Sequence, residues 1–290
     1  MTYDEVNDDL GSAKPFRVVA ALAVYGRLPL LEYTIKRLYH KNGCVKVICS
    51  GDRPEDKELV ESLGAVWVEH PNRHLGQKWN ASFKAAENYD PDACVFVGSS
   101  DWISDNWFRV MRPYVEQHEF AGVAGCSLVD MAEEVRLVHW KGYKGWRRER
   151  ADETIGSGRM LSRKLLKALA WQPFKANLNN SLDHSMKARA KECGYNDFMV
   201  HDESLKSLSL STPLWANKHK FESHWSGVIP SIKTEPEPFL STYFPETKPL
   251  SQKIYEEIIN ARTIRESGAI AEANTMQDMS IRLINSQNRI

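Results

Sequence analysis

Between Arg17 and Val97 the chain repeats one pattern: a short, continuous apolar run, then a longer stretch whose apolar residues recur at helical spacing. RVVAALAV (Arg17 to Val24) has the length of a strand and no polar face, as a strand covered on both sides requires. Pro29 then opens LLEYTIKRLYH, in which Leu30, Leu31, Tyr33, Thr34 and Leu38 recur at helical spacing. The succession continues with strands at Val45 to Cys49, Ala65 to Val68 and Ala93 to Val97, and helices at Glu55 to Leu63 and Trp79 to Asn88. Strands and helices alternating about every 25 residues predict βαβ units, hence an α/β fold with a mostly parallel sheet flanked by helices. Ligands of such sheets bind beyond the carboxyl ends of the strands. That singles out the polar loops Tyr25 to Arg27, Ser50 to Arg53, His70 to Asn80 and Gly98 to Asp105.

At 290 residues, with 42% hydrophobic and 10% aromatic content, the chain buries a sizeable core and is neither disordered nor a small disulfide scaffold. Lys+Arg and Asp+Glu both number 38, so no global field draws it to nucleic acid or an anionic membrane, and such a partner must be met by a local patch. The longest apolar run, Val18 to Val24, is far short of the ~20 residues that span a bilayer. Asp4, Glu5, Asp8 and Asp9 precede the first basic residue, Lys14, which is unlike a secretory signal, and a cytoplasmic protein is expected. Five cysteines without a C-x-x-C pair read as buried reduced thiols rather than a zinc site or disulfides.

Residues 1–15 read as a flexible arm. After Asp130 the rhythm loosens into the basic, aromatic HWKGYKGWRRER (His139 to Arg150), the glycine-rich GSGR (Gly156 to Arg159), a helix from Ser162 to Ala170, and another from about Asp183 to Cys193 that ends at Gly194. The prolines recurring from Pro230 to Pro249 favour an extended wrap over the surface rather than further sheet. The charged, helix-prone tail from Ser251 to Ile290 carries Ile254, Ile258, Ile259 and Ile264 near helical spacing, and its helices are a candidate surface for homo-oligomer formation.

The first four loops contain neither a P-loop nor a dinucleotide fingerprint. What stands out is VFVGSSDWIS (Val95 to Ser104), an apolar strand running into small residues, one carboxylate and a tryptophan. This segment resembles the acidic strand end of the family-2-like glycosyltransferases of the GT-A fold. There a D-S-D-D-W-like cluster holds a divalent metal on the diphosphate of a nucleotide sugar. Gly98, Ser99, Ser100, Asp101 and Trp102 occupy the matching positions, with a single acid among them. The resemblance extends to VAALAVYGR (Val19 to Arg27), LGQKWNASFKAA (Leu75 to Ala86) and NNSLDHSMKARAKECGY (Asn179 to Tyr195). In the last of these, Asp183 falls on the aspartate of the family's E-D pair and Leu182 on its glutamate. In CSGDR (Cys49 to Arg53) the family has adjacent aspartates, and Asp52 replaces the uracil-binding acid only through a register shift. The match runs from about residue 16 to 225.

The resemblance implies a GT-A-like, Rossmann-like catalytic domain over 16–229, with a nucleotide-sugar half at about 16–130 and an acceptor half at about 131–229, followed by a proline-rich and helical extension over 230–290. It implies a hexosyltransferase, inverting because Asp183 resembles the base of inverting relatives and with retention as the alternative, that moves a sugar from a nucleotide sugar, a UDP-sugar by expectation, to a hydroxyl acceptor. The donor would be met by Tyr25, Arg27, Asp52, Lys78, Asn80, Ser100, Asp101, Trp102 and Arg159. A divalent metal, Mn or Mg, would sit on Asp101 with His224, for which His219 is the alternative. Charge builds on the leaving diphosphate, which calls for a metal or for Lys and Arg, and the attacking hydroxyl must lose a proton to a carboxylate, for which Asp183 is the candidate. Cations beside stacking rings at Tyr143, Lys144, Trp146, Arg147 and Arg148 suit an acceptor that is a glycan or a modified base in DNA, as in phage-type DNA glycosyltransferases.

Each of these residues also has a structural reading. Asp101 is a turn former or helix cap, Asp183 an N-cap, Lys78 and Arg159 solvated cations, Tyr25 and Trp102 core aromatics, and the histidines surface or core residues. Two other functions stand beside glycosyl transfer. One is a nucleotidyltransferase, for which Tyr25-Gly26-Arg27 is a poor match to the glycine-rich loop required; the other is a nucleic-acid or nucleotide-sugar binding module without catalysis.

Overall fold

The computed structural model describes residues 15–131, 134–212 and 221–260. Its centre is strand β1 (Val18–Ala23), which pairs in parallel with β2 (Lys46–Gly51) on one side and β4 (Ala93–Phe96) on the other. Helix α1 (Leu28–His40) connects β1 to β2, and α2 (Pro54–Ser62) connects β2 to β3 (Val66–Glu69). Helix α3 (Leu75–Ala86) leads to β4, and β5 (Asp101–Ile103), α4 (Trp107–His118), β6 (Phe120–Gly122), β7 (Cys126–Met131) and β8 (Val135–Trp140) follow. The remaining elements are β9 (Met160–Ser162), α5 (Arg163–Ala168), α6 (Leu182–Glu192), β10 (Phe198–Met199), β11 (Ser207–Ser211), α7 (Phe221–Trp225), β12 (Ser231–Thr234) and α8 (Phe239–Tyr243).

The main sheet has the order β10-β6-β9-β4-β1-β2-β3 and is parallel except where β9 runs against β4 and β6. Successive side chains of β1 point to opposite faces, and this divides the core in two. Val18, Ala20 and Leu22 pack with α1, α2 and α4, whereas Val19 and Ala21 pack with α3, α5 and α6. The continuous apolar run of β1 is thus explained by helices on both faces. The expected α/β architecture, a mostly parallel sheet flanked by helices with helical structure at the C-terminal side, is the one observed.

A second sheet, of order β12-β8-β7-β11-β5, stands beside the first. It corrects the expectation for the proline-rich segment: Ser231–Thr234 pairs antiparallel with β8 instead of only wrapping the surface. Pro230 precedes this strand, which lies at the edge of its sheet, where a proline disturbs no ladder. One face of the second sheet packs Val129, Leu137, Leu208 and Leu210 against Leu240, Phe244, Leu250, Ile254 and Ile258, and residues 247–260 are helical. Arg37 of α1 fastens this covering layer. Its guanidinium binds Glu246 at 2.8 Å, the carbonyls of Ile103 at 3.1 Å and Tyr243 at 3.3 Å, and Asp105, and it lies 4.9 Å from the Phe244 ring centre. Most of the expected N-terminal arm, Ile264 and most of the expected oligomerisation segment lie outside the described residues.

All five cysteines are free thiols, and burial pushes those of Cys44, Cys49 and Cys94 up. No helix among the described residues is long and apolar enough to cross a membrane.

Candidate functional site

A cavity of about 180 Å³ lies where the carboxyl ends of β1 and β4 meet the second sheet, the position at which open α/β sheets bind ligands. Tyr25, Arg27, Lys78, Ser100, Asp101 and Asp183 all line it. A second cavity, of about 410 Å³, is lined by Tyr143, Trp146, Arg147, Arg150 and His224 among others. Trp140 and Asp183 belong to the walls of both.

On the β1 side, Arg27 takes a left-handed conformation (φ 61°) directly before α1. Such a backbone costs about 1–3 kcal/mol in a residue other than glycine. The bond from Gly26 N–H to Asp56 Oδ2 at 2.8 Å helps to hold the turn. Arg27 Nη1 donates to Ser100 Oγ at 3.2 Å; burial lowers the guanidinium pKa, and the charge of Asp101 works against that shift. Lys78, on α3, is buried and donates to the Val24 carbonyl and to Asn72 Oδ1 at 2.8 Å. Desolvation brings its amine down to about 8, against the opposing pull of Asp52 and Asp56. Tyr25 is 56% exposed, with the Lys78 amine and the Arg53 guanidinium each 5.6 Å from its ring centre. A ring so placed offers a face to a planar ligand beside two cations.

Asp101 begins β5 after a turn closed by its own N–H on the Gly98 carbonyl at 3.0 Å. A Cβ at Gly98 would come within 2.5 Å of Asp101 Oδ2, so the small residue makes room for the carboxylate. Trp102, expected against the donor, faces away: strand residues alternate, and the neighbour of a residue that lines the cavity points to the other face. Its ring is buried beside Tyr33 and Phe244, and its Nε1 donates to Thr34 Oγ1 at 3.1 Å.

Asp183 sits in the first turn of α6, while the cap position belongs to Ser181. Its Oδ2 accepts from Tyr143 Oη at 3.1 Å and from Gly156 N–H at 3.2 Å. Burial and the charge of Asp183 push the Tyr143 phenol up, which keeps it a donor. A Cβ at Gly156 would meet Asp183 Oδ1 at 2.5 Å, a second place where glycine permits a close approach. Arg159 is fully buried, does not line the cavity, and has a positioning part instead of the expected phosphate contact. Its Nη1 donates to the Asp183 carbonyl at 2.6 Å and its Nε to Thr154 Oγ1 at 2.7 Å, with Glu153 and Asp197 at 3.6 and 3.7 Å balancing its charge.

Two other expected donor contacts lie off the cavity wall. Asn80 clamps Phe174, donating to its carbonyl at 2.9 Å and accepting its N–H at 3.0 Å. Asp52 Oδ2 accepts from Asn72 N–H at 2.7 Å on the exposed surface. In the basic stretch, Tyr143 is buried, Trp146 is 39% exposed with the Arg147 guanidinium 4.8 Å from its ring centre, and Lys144 is exposed outside the lining. Nothing is described for the Arg148 side chain.

Asp101 lines the first cavity and His224 the second. His224 Nδ1 is 2.8 Å from Ser231 Oγ, and His219 lies outside the described residues. Among the described residues no three His, Cys, Asp or Glu side chains are grouped to hold a metal. Within the described residues Asp101 stands as one carboxylate on the cavity wall, a single oxygen donor group for a cation. Trp140 and Ser209 are lining residues that sequence reasoning passed over. Trp140 had a signal, standing second in HWKGYKGWRRER, and Ser209 had none.

No family model matches the chain, and no curated protein matches it. Solved structures similar to it include S. aureus TarS, residues 1–349, at 13% identity and a TM-score of 0.44, over 67% of this chain. The chain spans 60% of the length of that TarS structure. Another is CMP:2-keto-3-deoxy-manno-octonic acid synthetase complexed with CTP, at 11% identity and a TM-score of 0.39, over 68% of this chain and 89% of the other.

Proposed function

We propose that the chain is an enzyme that transfers a sugar from a nucleoside diphosphate donor, a UDP-hexose by expectation, to a hydroxyl acceptor with inversion. The observation that carries this reading is the place of Asp183 in the wall common to two cavities, one lined by Arg27, Lys78 and Asp101, the other by aromatic rings and cations.

In this reading Tyr25 stacks on the base and Arg27 and Lys78 face the diphosphate. The acceptor oxygen attacks the anomeric carbon while Asp183 takes its proton. The bond from that carbon to the diphosphate oxygen breaks, and its electron pair leaves with the diphosphate, whose growing charge the two cations stabilise. Tyr143 and Gly156 hold the carboxylate in place through Oδ2. A divalent ion carried by the donor would add charge neutralisation beside Asp101. The acceptor lies against Tyr143, Trp146 and Arg147. A glycan there is favoured by the half-exposed Trp146 ring, since Arg150 is engaged with Glu153 and with the Tyr143 ring.

Isothermal titration with UDP, with manganese and with chelator, followed by assay of donor hydrolysis, tests the reading. Binding of UDP and slow release of hexose from a UDP-hexose are expected, and absence of both overturns it. Acceptor binding should change little with salt. A steep fall, near ~0.9 in logarithmic slope for each phosphate contacted, would move the acceptor to DNA.

A further inference from the structure

Six buried side-chain polar atoms among the described residues have no hydrogen-bond partner, and two of them, Trp140 Nε1 and Ser209 Oγ, are carried by residues that line the first cavity. Both residues are more than nine-tenths buried. A buried polar group without a partner is costly, and folded proteins tolerate few of them.

Their setting says what kind of group would meet them. The two residues lie on strands that flank β7: Trp140 is opposite Cys126 and Ser209 opposite Leu128, positions that share one face of the second sheet. Ser209 is also paired with Asp101 across β11 and β5. The Trp140 ring is fixed edge-on by Tyr143 at 5.1 Å and by His224 at 5.6 Å, so its N–H direction is set before any ligand arrives. An indole N–H only donates and a serine hydroxyl both donates and accepts, so the complement is a group rich in hydroxyl oxygens rather than a cation or an apolar ring. Tyr25, Arg27 and Lys78 stand at the β1 end of the cavity, whereas Trp140, with Asp183, belongs to the boundary with the second cavity. The portion of a donor between the diphosphate and Asp183 is the transferred sugar.

We infer that Trp140 and Ser209 select the transferred hexose by hydrogen bonds to its ring hydroxyls. The inference rests on the glycosyl-transfer reading and adds to it the two residues that tell one sugar from another. A site that hydrogen-bonds a hydroxyl through otherwise unpaired buried groups discriminates against the analogue that lacks it.

The test is titration of the full chain with UDP, UDP-glucose, UDP-galactose and UDP-N-acetylglucosamine, then with deoxy analogues of the tightest binder, on wild type, Trp140→Phe and Ser209→Ala. Expected is tighter binding of one UDP-hexose than of UDP, a loss of about tenfold for at least one deoxy analogue, and removal of that loss in a variant whose UDP affinity stays within about twofold. An unchanged ratio of UDP-hexose to UDP affinity in both variants overturns the inference and leaves the enzymatic reading standing. An equal loss for UDP and UDP-hexose also overturns it, because the residues would then act on the nucleotide or on the fold. Failure of wild type to bind any of the four probes overturns both. If Trp140→Phe does not fold, Ser209→Ala, which removes a single oxygen, decides.

Discussion

Lys78 gives the candidate site a pH dependence with opposite signs in binding and in stability. Its ammonium is buried, holds two acceptors, and has its pKa drawn from 10.5 to about 8 by desolvation. In the proposed reading a diphosphate at Arg27 and Lys78 binds the charged amine. At pH 7 about nine-tenths of the amine is charged and at pH 9 about one-tenth, so UDP affinity should fall roughly tenfold across that interval. A terminal phosphate is doubly ionised throughout, since its second pKa is about 6. For stability the sign reverses. Between about 8 and 10.5 the folded chain binds fewer protons at this group than the unfolded chain does, so the contribution to folding free energy improves as pH rises. It is complete above 10.5 and is lost as pH falls through about 8. Calorimetric titration with UDP at pH 7 and 9, beside urea unfolding over the same range, measures both trends. Lys78→Met, which keeps the apolar stem, should weaken binding at pH 7 and abolish the difference between the two pH values. If the variant shows the same fall as wild type, Lys78 is not the titrating group and the assignment of the diphosphate to it is wrong.

Other outcomes follow from the same geometry. Asp183→Asn should lower transfer by ~10²-fold or more with UDP affinity little changed, and near-normal turnover would remove it as the base. Gly98→Ala brings a methyl group within 2.5 Å of Asp101 Oδ2. It should therefore reduce turnover about as much as Asp101→Asn does, and the double variant should be no worse than either single; additive losses would separate the two positions. Arg37→Met removes the bonds to Glu246, Ile103 and Tyr243 and should cost about 2–4 kcal/mol in urea unfolding, with faster proteolysis near Phe244. A change below about 0.5 kcal/mol would show that the covering layer holds without it.

The first half of the fold was legible because β1, β2 and β4 are each near-continuous apolar runs, and the helices between them carry their own periodicity. The second sheet was not, because apart from the β7–β8 hairpin its pairings are long-range: β11 joins β7 to β5, and β12 is a four-residue edge strand embedded among prolines. At the site, motif positions single out Asp101 and Asp183, and both line the first cavity. Trp102 was misjudged by neglect of strand alternation, which puts adjacent residues of β5 on opposite faces. Asn80 and Arg159 were misjudged because a polar side chain that binds a backbone carbonyl across a long loop looks, in sequence, like one that binds a ligand. Phe174 is 94 residues from Asn80, and Asp183 is 24 from Arg159. The unpaired Ser209 hydroxyl is a property of its surroundings and has no local sequence signature.

The layer that Arg37 fastens also bears on how the chain assembles during synthesis. Arg37 and Glu246 are 209 residues apart, and the cluster they border draws on Leu30, Trp102, Leu210 and Ile258. Contacts of such separation carry a large loop-closure cost and form slowly. The β1–β4 layer with α1 and α3 is made before the second sheet and is rich in nearer pairings, whereas Trp102, Val129 and Leu208 wait for their cover until residues 240–258 have been made. Until then the outer face of the second sheet is an apolar surface, which makes the stretch of translation between β11 and the last helical turn the period in which a nascent chain is most exposed to aggregation and to chaperone capture.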